Sequence, residues 1–342
     1  MNGPLHGIHI VEFESLGPGP LAGRILLGMG ATVTLIARPT KSAVSAQLAG
    51  DQEDELNRGK QRIALDLKQA ADREQAMQLL AGADALIEGN RPGVMERLGF
   101  SPAECARHNP KLVYGRMTGW GQEGPLAHAA GHDLNYVALT GLLSLSAHRG
   151  ELPVIPPTMV GDAPGALGLA FGMVCALLDA QRSGKGRVVD AAIVDILAML
   201  GGLAQWISAS GQLGSSAPSP FHDSPFYDVY RCADGRDITI GALEPQFYAL
   251  LLEKLGLTDV PAEAQYDTTQ WPALKKRLRH LFAERSRDEW CTLLEGSDAC
   301  FAPVLSLAEA ARHPHNVARG NYKETTAGHP FGNPAPRFTE LG

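Results

Sequence analysis

The first part of the chain alternates short apolar runs with amphipathic segments, as in proteins built from β-α-β units. Residues 7–14 and 31–38 have the composition of buried strands, and residues 16–29 between them have helical spacing. Residues 84–90 and 112–120 repeat the strand pattern further along. This alternation predicts an α/β fold with a large Rossmann-like domain built on a parallel sheet.

A second, smaller domain is expected after the Gly-, Ser- and Pro-rich tract at residues 211–220. Beyond it, two strand patterns flank Asp234-Gly235, a strong hairpin signal, and amphipathic helices follow. The predicted segments are a large α/β domain over 1–195, a linker over 196–220, a small α+β domain over 221–305 and a return linker over 306–317.

Composition and charge narrow the classes of function. The 342-residue chain has a formal net charge of −7, which argues against nucleic acid as the main partner. No apolar run reaches the ~18 residues of a membrane span, and the start of the sequence leaves no room for a leader peptide. Five scattered cysteines without CxxC spacing favour reduced thiols over a disulfide framework or a zinc site. We therefore expect a cytoplasmic globular protein with no metal centre and no membrane or nucleic-acid partner.

The turn after the first strand, GPGPLAG, looks like a dinucleotide-binding fingerprint but differs from it in detail. Its glycines are spaced G-x-G-x-x-x-G, and Pro18 and Pro20 remove N–H groups that a pyrophosphate would use. The turn therefore argues against a dinucleotide cofactor.

Basic side chains lie at or near the ends of several predicted strands. Arg38 ends the second strand, where it suits the ribose phosphate of NADP, the 3′-phosphate of coenzyme A, or simply solvent. Arg58, Lys60 and Arg62 form either a solvated loop or the cationic edge of an adenosine-phosphate site. Asn90-Arg91 follows another strand, and ligands of open α/β sheets bind outside the carboxyl ends of strands.

Two titratable residues in the stretch 131–165 each precede an apolar helical run. His132 stands before the first run, and Asp162 stands before the second. A helix N-terminus favours a neutral imidazole and offers N–H groups to a developing oxyanion. The pair is therefore a candidate for proton transfer at two faces of one carbon. The residues alone leave a structural histidine and an ordinary aspartate N-cap as alternatives.

The segments GHDLNYVALTG and GELPVIPPTMVGD resemble the α-methylacyl-CoA racemase branch of the family III CoA-transferase superfamily. VEFESLGPGPLAG, EGNRPGVMERLG, FAPVLSLAEA and PAPRFT extend the likeness over nearly the whole chain. The resemblance implies that His132 and Asp162 are the acid–base pair at the α-carbon of the substrate. It also implies that Glu244 supports His132, although ordinary helix capping is the alternative for this glutamate.

The resemblance further implies how the substrate is held and how the chain assembles. Coenzyme A enters as part of the thioester substrate, and no redox or metal cofactor is expected. An interlocked homodimer is implied, with residues 318–342 returning to the large domain. The residues expected at the coenzyme A part are Arg38, Asn57, Arg58, Asn90, Arg91 and Tyr136.

We therefore predict epimerisation of 2-methylacyl-CoA thioesters through an enolate, as part of fatty acid metabolism. One alternative is a family III CoA-transferase with Asp162 as nucleophile, although such transferases usually lack a histidine at the place of His132. An NADP-dependent oxidoreductase and a catalytically silent coenzyme A binder are further alternatives. Ala163-Pro164 departs from the paired glycines common in the family, which leaves the substrate open. The methionines that either line an acyl site or fill the core are Met117, Met159, Met173 and Met199.

Overall fold

The computed structural model describes residues 3–40, 54–148, 150–325 and 328–340. The chain divides into two compact units, here called the large unit and the small unit. The large unit comprises Met1–Leu143, Ile155–Gly201 and Val317–Gly342, and the small unit comprises Ser144–Val154 and Gly202–Asn316.

A six-stranded parallel sheet forms the centre of the large unit. Its strands are β1 (His9–Phe13), β2 (Thr32–Ala37), β3 (Gln61–Ala64), β4 (Ala85–Glu88), β5 (Val113–Thr118) and β6 (Val188–Ala192). They lie in the order β3-β2-β1-β4-β5-β6, so the direction of strand addition reverses between β1 and β4. Ligands of open α/β sheets bind beside such a reversal, outside the carboxyl ends of the strands. The prediction of an α/β fold with a parallel sheet is confirmed.

Helices cover both faces of this sheet. They are α1 (Pro18–Gly28), α2 (Ala70–Ala81), α3 (Val94–Arg97), α4 (Pro102–His108), α5 (Asp133–Leu139), α6 (Asp162–Ser183) and α7 (Ile193–Leu200). Ile10 of β1 packs with Leu169 of α6 on one face, and Val11 packs with Leu80 of α2 on the other. Because successive side chains of a strand point to opposite faces, a sheet covered twice needs a continuous apolar run, as residues 7–14 provide.

Helix α6 has the length and apolar composition that would let a helix cross a membrane, with a mean hydropathy of 1.6. One of its faces is nevertheless part of the protein core, where Leu169 and Met173 are fully buried. We therefore regard α6 as the central packing helix of the large unit. Its opposite face exposes apolar side chains, among them Phe171 at 67% exposure.

The small unit is built on a three-stranded antiparallel sheet. Its strands are β7 (Tyr227–Arg231), β8 (Asp237–Gly241) and β9 (Phe301–Pro303). Gly235, with φ of +74°, makes the turn between β7 and β8 that the Asp-Gly pair predicts. The helices that follow α7 are α8 (Gly202–Ala209), α9 (Pro245–Lys254), α10 (Trp271–Phe282), α11 (Arg287–Leu294), α12 (Leu307–Arg312) and α13 (Pro314–Arg319). Phe226 and Trp290 are fully buried in the core of the small unit.

Short elements complete both units. The chain ends its regular structure in an antiparallel hairpin of the large unit, β10 (Tyr322–Glu324) with β11 (Pro330–Gly332). Single turns of 3₁₀-helix lie at Leu142–Ser146 and Ala262–Ala264.

Candidate active site

His132 and Asp162 both lie at helix starts in the large unit. His132 directly precedes α5; its N–H donates to Asn135 Oδ1 at 3.1 Å, and its carbonyl accepts the N–H of Asn135 at 2.8 Å. This reciprocal pair fixes the start of the helix. Asp162 is the first residue of α6 rather than its N-cap, which is Gly161. Within the described residues, the Asp162 carboxylate has no hydrogen-bond partner, so it is available to a substrate.

Asp133, the neighbour of His132, connects the two helix starts. Its Oδ2 accepts the N–H groups of Gly161 and Asp162, each at 2.8 Å. A Cβ on Gly161 would lie 2.7 Å from this oxygen, so the close approach requires glycine. The side chain is buried, and Oδ1 has no partner among the described residues. A carboxylate at a helix N-terminus is stabilised by the N–H groups there, so one side chain holds the histidine helix against the aspartate helix.

The environment of Asp162 makes its carboxyl hold its proton more tightly than usual. Burial raises the pKa of Asp162 from 3.8 to about 6; the charge of Asp133 acts in the same direction, and His132 opposes it. A carboxyl that titrates near neutrality can both give and take a proton, as general acid–base catalysis requires. Because the folded-state pKa is raised, protonated Asp162 favours the folded state. That contribution is complete below pH 3.8 and is lost as the pH rises through about 6.

The N–H groups at the start of α6 are already hydrogen-bonded. The first two donate to Asp133, and the N–H of Ala163 donates to the Thr158 carbonyl at 3.0 Å. Pro164 has no N–H to offer. Thr158 has a φ of +62°, a strained conformation for a β-branched residue that is typical of functional sites. The donors of this helix end thus have partners within the chain, and their predicted role at an enolate oxygen remains a prediction.

Tyr136 lies beside the acid–base pair. Its hydroxyl donates to the Gly131 carbonyl, and its ring meets that of Trp120 edge-on with centroids 4.7 Å apart. Burial raises the pKa of Tyr136; the charge of Asp162 raises it further, and that of Arg91 lowers it. Tyr136 therefore lies within electrostatic reach of both the catalytic candidate and a coenzyme A candidate. Its predicted contact with coenzyme A remains a prediction.

An open, mainly apolar pocket of about 440 Å³ adjoins the histidine helix. It is lined by Trp120, Ala130, Asn135, Ala138 and Leu139. Met117 and Met173, which the sequence offered as acyl-site or core residues, are buried in the core of the large unit. Met159 and Met199 are exposed at 66% each.

The cations of the predicted coenzyme A site fall into two groups. Arg58 pairs with Glu55 at 2.5 Å, and Arg62 lies 3.9 Å from Glu14. Arg38 at the end of β2 and Arg91 after β4 form no ion pair with any residue that the structure describes. These two guanidinium groups, at the carboxyl edge of the sheet, are the ones most available to a phosphate. The roles of Arg38, Arg58 and Arg91 at coenzyme A remain predictions.

The two predicted asparagine ligands are engaged within the chain. Asn57 Oδ1 accepts from Lys60 Nζ at 2.8 Å, and its Nδ2 donates to Asp54. The backbone N–H of Asn90 donates to Glu88 Oε2 at 2.7 Å. Asn57 therefore organises its own loop, whereas the Asn90 backbone is fixed at the carboxyl end of β4.

Glu244 belongs to the small unit, at the N-cap position of α9. Its carboxylate makes no capping hydrogen bond, and its charge raises the pKa of Tyr266 and Cys300, in each case after burial. The ordinary capping role is therefore not the one it performs, and its support of His132 remains a prediction. No cluster of three or more His, Cys, Asp or Glu side chains suited to a metal occurs in the described part of the chain.

Comparison with known sequences assigns the whole chain to one family. The pattern of CoA-transferase family III matches residues 5–340. Alpha-methylacyl-CoA racemase of Homo sapiens is 40% identical over 330 residues, which cover 93% of this chain and 82% of the human protein. Acetyl-CoA:oxalate CoA-transferase of Acetobacter aceti is 30% identical over 338 residues, covering 93% and 85% of the two chains. The resemblance stated from the sequence motifs is confirmed.

Solved structures agree with the fold. A CAIB/BAIF family protein from Brucella suis superposes with a TM-score of 0.85 at 25% identity, covering 99% of this chain and 94% of the other. The fold is therefore shared with a relative of solved structure.

Proposed function

Because the chain belongs to CoA-transferase family III, we propose that it is an isomerase that epimerises 2-methylacyl-CoA thioesters. The observation that carries this proposal is the pair of helix starts joined by Asp133, with an unpartnered Asp162 carboxylate that lies within electrostatic reach of His132. The 40% identity to a racemase over most of the chain supports the same reaction. Coenzyme A is part of the substrate in this proposal, and the reaction requires no redox or metal cofactor.

Two protonation states of the pair serve the two directions of the reaction. With His132 neutral and Asp162 protonated, the imidazole removes the α-proton from one face and the carboxylic acid delivers a proton to the other. The enzyme then holds an imidazolium and a carboxylate, which is the state required for the reverse direction. The raised pKa of Asp162 supports this role, because a carboxyl with the ordinary value would rarely carry a proton at neutral pH.

The enolate between the two proton transfers needs a compensating charge. In both directions this intermediate faces a protonated His132, because the histidine has either just taken the α-proton or not yet given its own. The imidazolium therefore supplies positive charge next to the developing oxyanion, in a partly water-excluded site. We favour the imidazolium for this role because the donors at the start of α6 have hydrogen bonds within the chain.

We assign the adenosine-phosphate end of the substrate to the carboxyl edge of the sheet. Arg38 and Arg91 bind phosphate groups there, with Arg58 on the adjoining loop and Tyr136 towards the thioester. Asn57 and Asn90 shape the backbone that carries these side chains. Glu244 has the role that the resemblance implies, which is to orient His132.

A family III CoA-transferase is the second candidate, favoured by the 30% identity to acetyl-CoA:oxalate CoA-transferase. In that reaction the Asp162 carboxylate attacks the thioester carbonyl, coenzyme A leaves as a thiolate, and an acyl anhydride forms. A histidine is not required for this chemistry. The presence of His132 beside the carboxylate therefore supports the epimerase.

The wild-type enzyme distinguishes the two reactions in a single experiment. Incubated in deuterated water with one epimer of a 2-methylacyl-CoA and no acceptor acid, it is expected to incorporate deuterium at the α-carbon and produce the other epimer. Mass spectrometry and chiral chromatography measure both results. Absence of exchange, together with coenzyme A transfer once a carboxylate acceptor is added, would establish the transferase instead.

We further propose that the enzyme is a homodimer in which a second copy covers the outer face of α6. This face exposes apolar side chains at helical spacing: Leu167 at 56%, Phe171 at 67%, Val174 at 39% and Leu178 at 48%. Contiguous exposed apolar surface of this kind marks association sites.

Phe171→Asp is therefore expected to shift the protein towards monomer in sedimentation velocity. Gln181→Asp, which places the same charge near the polar end of α6, is expected to leave the dimer intact. A monomeric wild-type protein at micromolar concentration would contradict the assembly.

We also place the enzyme in the cytoplasm. Its five cysteines, all within the described residues, are free thiols, as is usual in a reducing compartment.

A further inference from the structure

An ion pair that the acid–base chemistry does not use is enclosed in the large unit. Glu12, in β1, and Lys60, just before β3, are joined by Nζ–oxygen distances of 2.8 and 2.7 Å. Both side chains have no exposed surface. Burial raises the pKa of Glu12 to about 7 and lowers that of Lys60, so removing both charges from water is costly. A pair of this kind adds little net stability over apolar residues, so its geometry needs another explanation.

Lys60 directs its donors towards three parts of the chain. An ammonium group has three N–H bonds. Here the acceptors are the Glu12 carboxylate, the Pro20 carbonyl at 3.0 Å and Asn57 Oδ1 at 2.8 Å. One buried group therefore connects the central strand β1, the first turn of α1 and the loop that precedes β3.

The GPGPLAG turn provides the space for this connection. A Cβ on Gly23 would lie 1.9 Å from Glu12 Oε2 and 3.2 Å from Lys60 Nζ. Gly23, the third glycine of this turn, therefore leaves the space that the ion pair occupies. The next residue, Arg24, reaches the same loop, where its NH1 donates to the Arg58 carbonyl at 2.7 Å.

We propose that Lys60, held by Glu12, is the positioning residue of the coenzyme A loop, residues 54–60. Being fully buried, it does not touch the substrate; it fixes Asn57 and thereby the backbone from which Arg58 projects. This inference rests on the proposed function, because it assumes that the loop faces the adenosine-phosphate part of coenzyme A. It assigns substrate affinity, rather than chemistry at the α-carbon, to the buried pair.

The test compares two thioesters of one 2-methylacyl group, the coenzyme A ester and the pantetheine ester, which lacks the adenosine phosphates. In Lys60→Met, KM for the coenzyme A ester is expected to rise by about 10-fold or more, with kcat within about 2-fold. The pantetheine ester is expected to keep both parameters. If Lys60→Met does not fold, the double variant Glu12→Gln with Lys60→Met leaves neither charge alone and is expected to give the same pattern.

Lys275→Met is the matched control, because Lys275 also pairs with an aspartate, Asp228 at 2.8 Å, but in the small unit. Lys275→Met is expected to change KM neither for the coenzyme A ester nor for the pantetheine ester. Equal loss of turnover on both esters in Lys60→Met would show a general structural role and overturn the positioning role. Unchanged KM for the coenzyme A ester would overturn it as well. If the wild-type protein neither binds coenzyme A nor turns over its esters, the proposed function itself fails.

Discussion

With Asp162 replaced by asparagine, one epimer of a 2-methylacyl-CoA is expected to exchange its α-hydrogen with deuterated water while the other is not. Asparagine neither takes nor gives a proton, so only the face served by His132 remains active. Abstraction there and return of a solvent-derived proton to the same face give exchange without inversion. Epimerisation in both directions is expected to fall by about 100- to 10,000-fold, the usual effect of removing a general acid or base.

His132→Ala is expected to confine exchange to the other epimer, at a rate below that of the wild type because the imidazolium that stabilises the enolate is lost as well. Proton NMR of each pure epimer in deuterated water measures the exchange, and chiral chromatography measures inversion. Asp179→Asn, which removes a solvent-accessible carboxylate further along the same helix, is expected to retain both activities. Exchange of both epimers at the wild-type rate in either variant would show that these two side chains are not the acid–base pair.

Replacing Asp133 by asparagine is expected to move the pH dependence of the reaction. Asp133 is the second cause, after burial, of the raised pKa of Asp162. Without this negative charge, the pKa of Asp162 falls below its present value of about 6. For the epimer whose proton Asp162 removes, the acid limb of kcat/KM therefore shifts to lower pH. The weaker acceptor also loosens two backbone hydrogen bonds, so kcat is expected to fall by about 10-fold or more.

Asp84→Asn provides the control for this shift. Asp84 also accepts a backbone N–H, from His9 at 2.8 Å, but at the amino-terminal edge of the sheet. The Asp84→Asn variant is expected to show the same pH dependence of kcat/KM as the wild type. An acid limb that stayed unchanged in Asp133→Asn would show that Asp133 does not act on the ionisation of Asp162.

The fold class and the main candidate residues of the site could be predicted from sequence patterns, because both depend on local chemistry. Apolar runs at 7–14 and 84–90 became β1 and β4, and the polar residues that follow each strand therefore lie at one edge of the sheet. His132 and Asp162 were found from the apolar helices that they precede. The motifs that resemble the family supplied the link between those two positions and one substrate carbon.

Contacts between residues that are far apart in the sequence could not be predicted from the local pattern of apolar and polar residues. Lys60 and Glu12 are separated by 48 positions, so nothing local indicated that one cation of the basic cluster is buried rather than solvated. Arg58 and its neighbour Glu55 are close in sequence, but their pairing depends on side-chain conformation. The role of Asp133, the third residue of the GHD triplet, was not predicted, because the N–H groups that donate to its carboxylate lie 28 and 29 residues away.

The half-buried setting of Asp162 also has a consequence for repeated turnover. After each inversion the proton sits on the opposite member of the pair, while the total number of protons on the enzyme is unchanged. Another cycle in the same direction requires that proton to cross back through solvent. Because burial and the charge of Asp133 raise the pKa of Asp162 to about 6, this carboxyl can both release and regain a proton near neutral pH, so exchange with solvent can reset the pair between cycles.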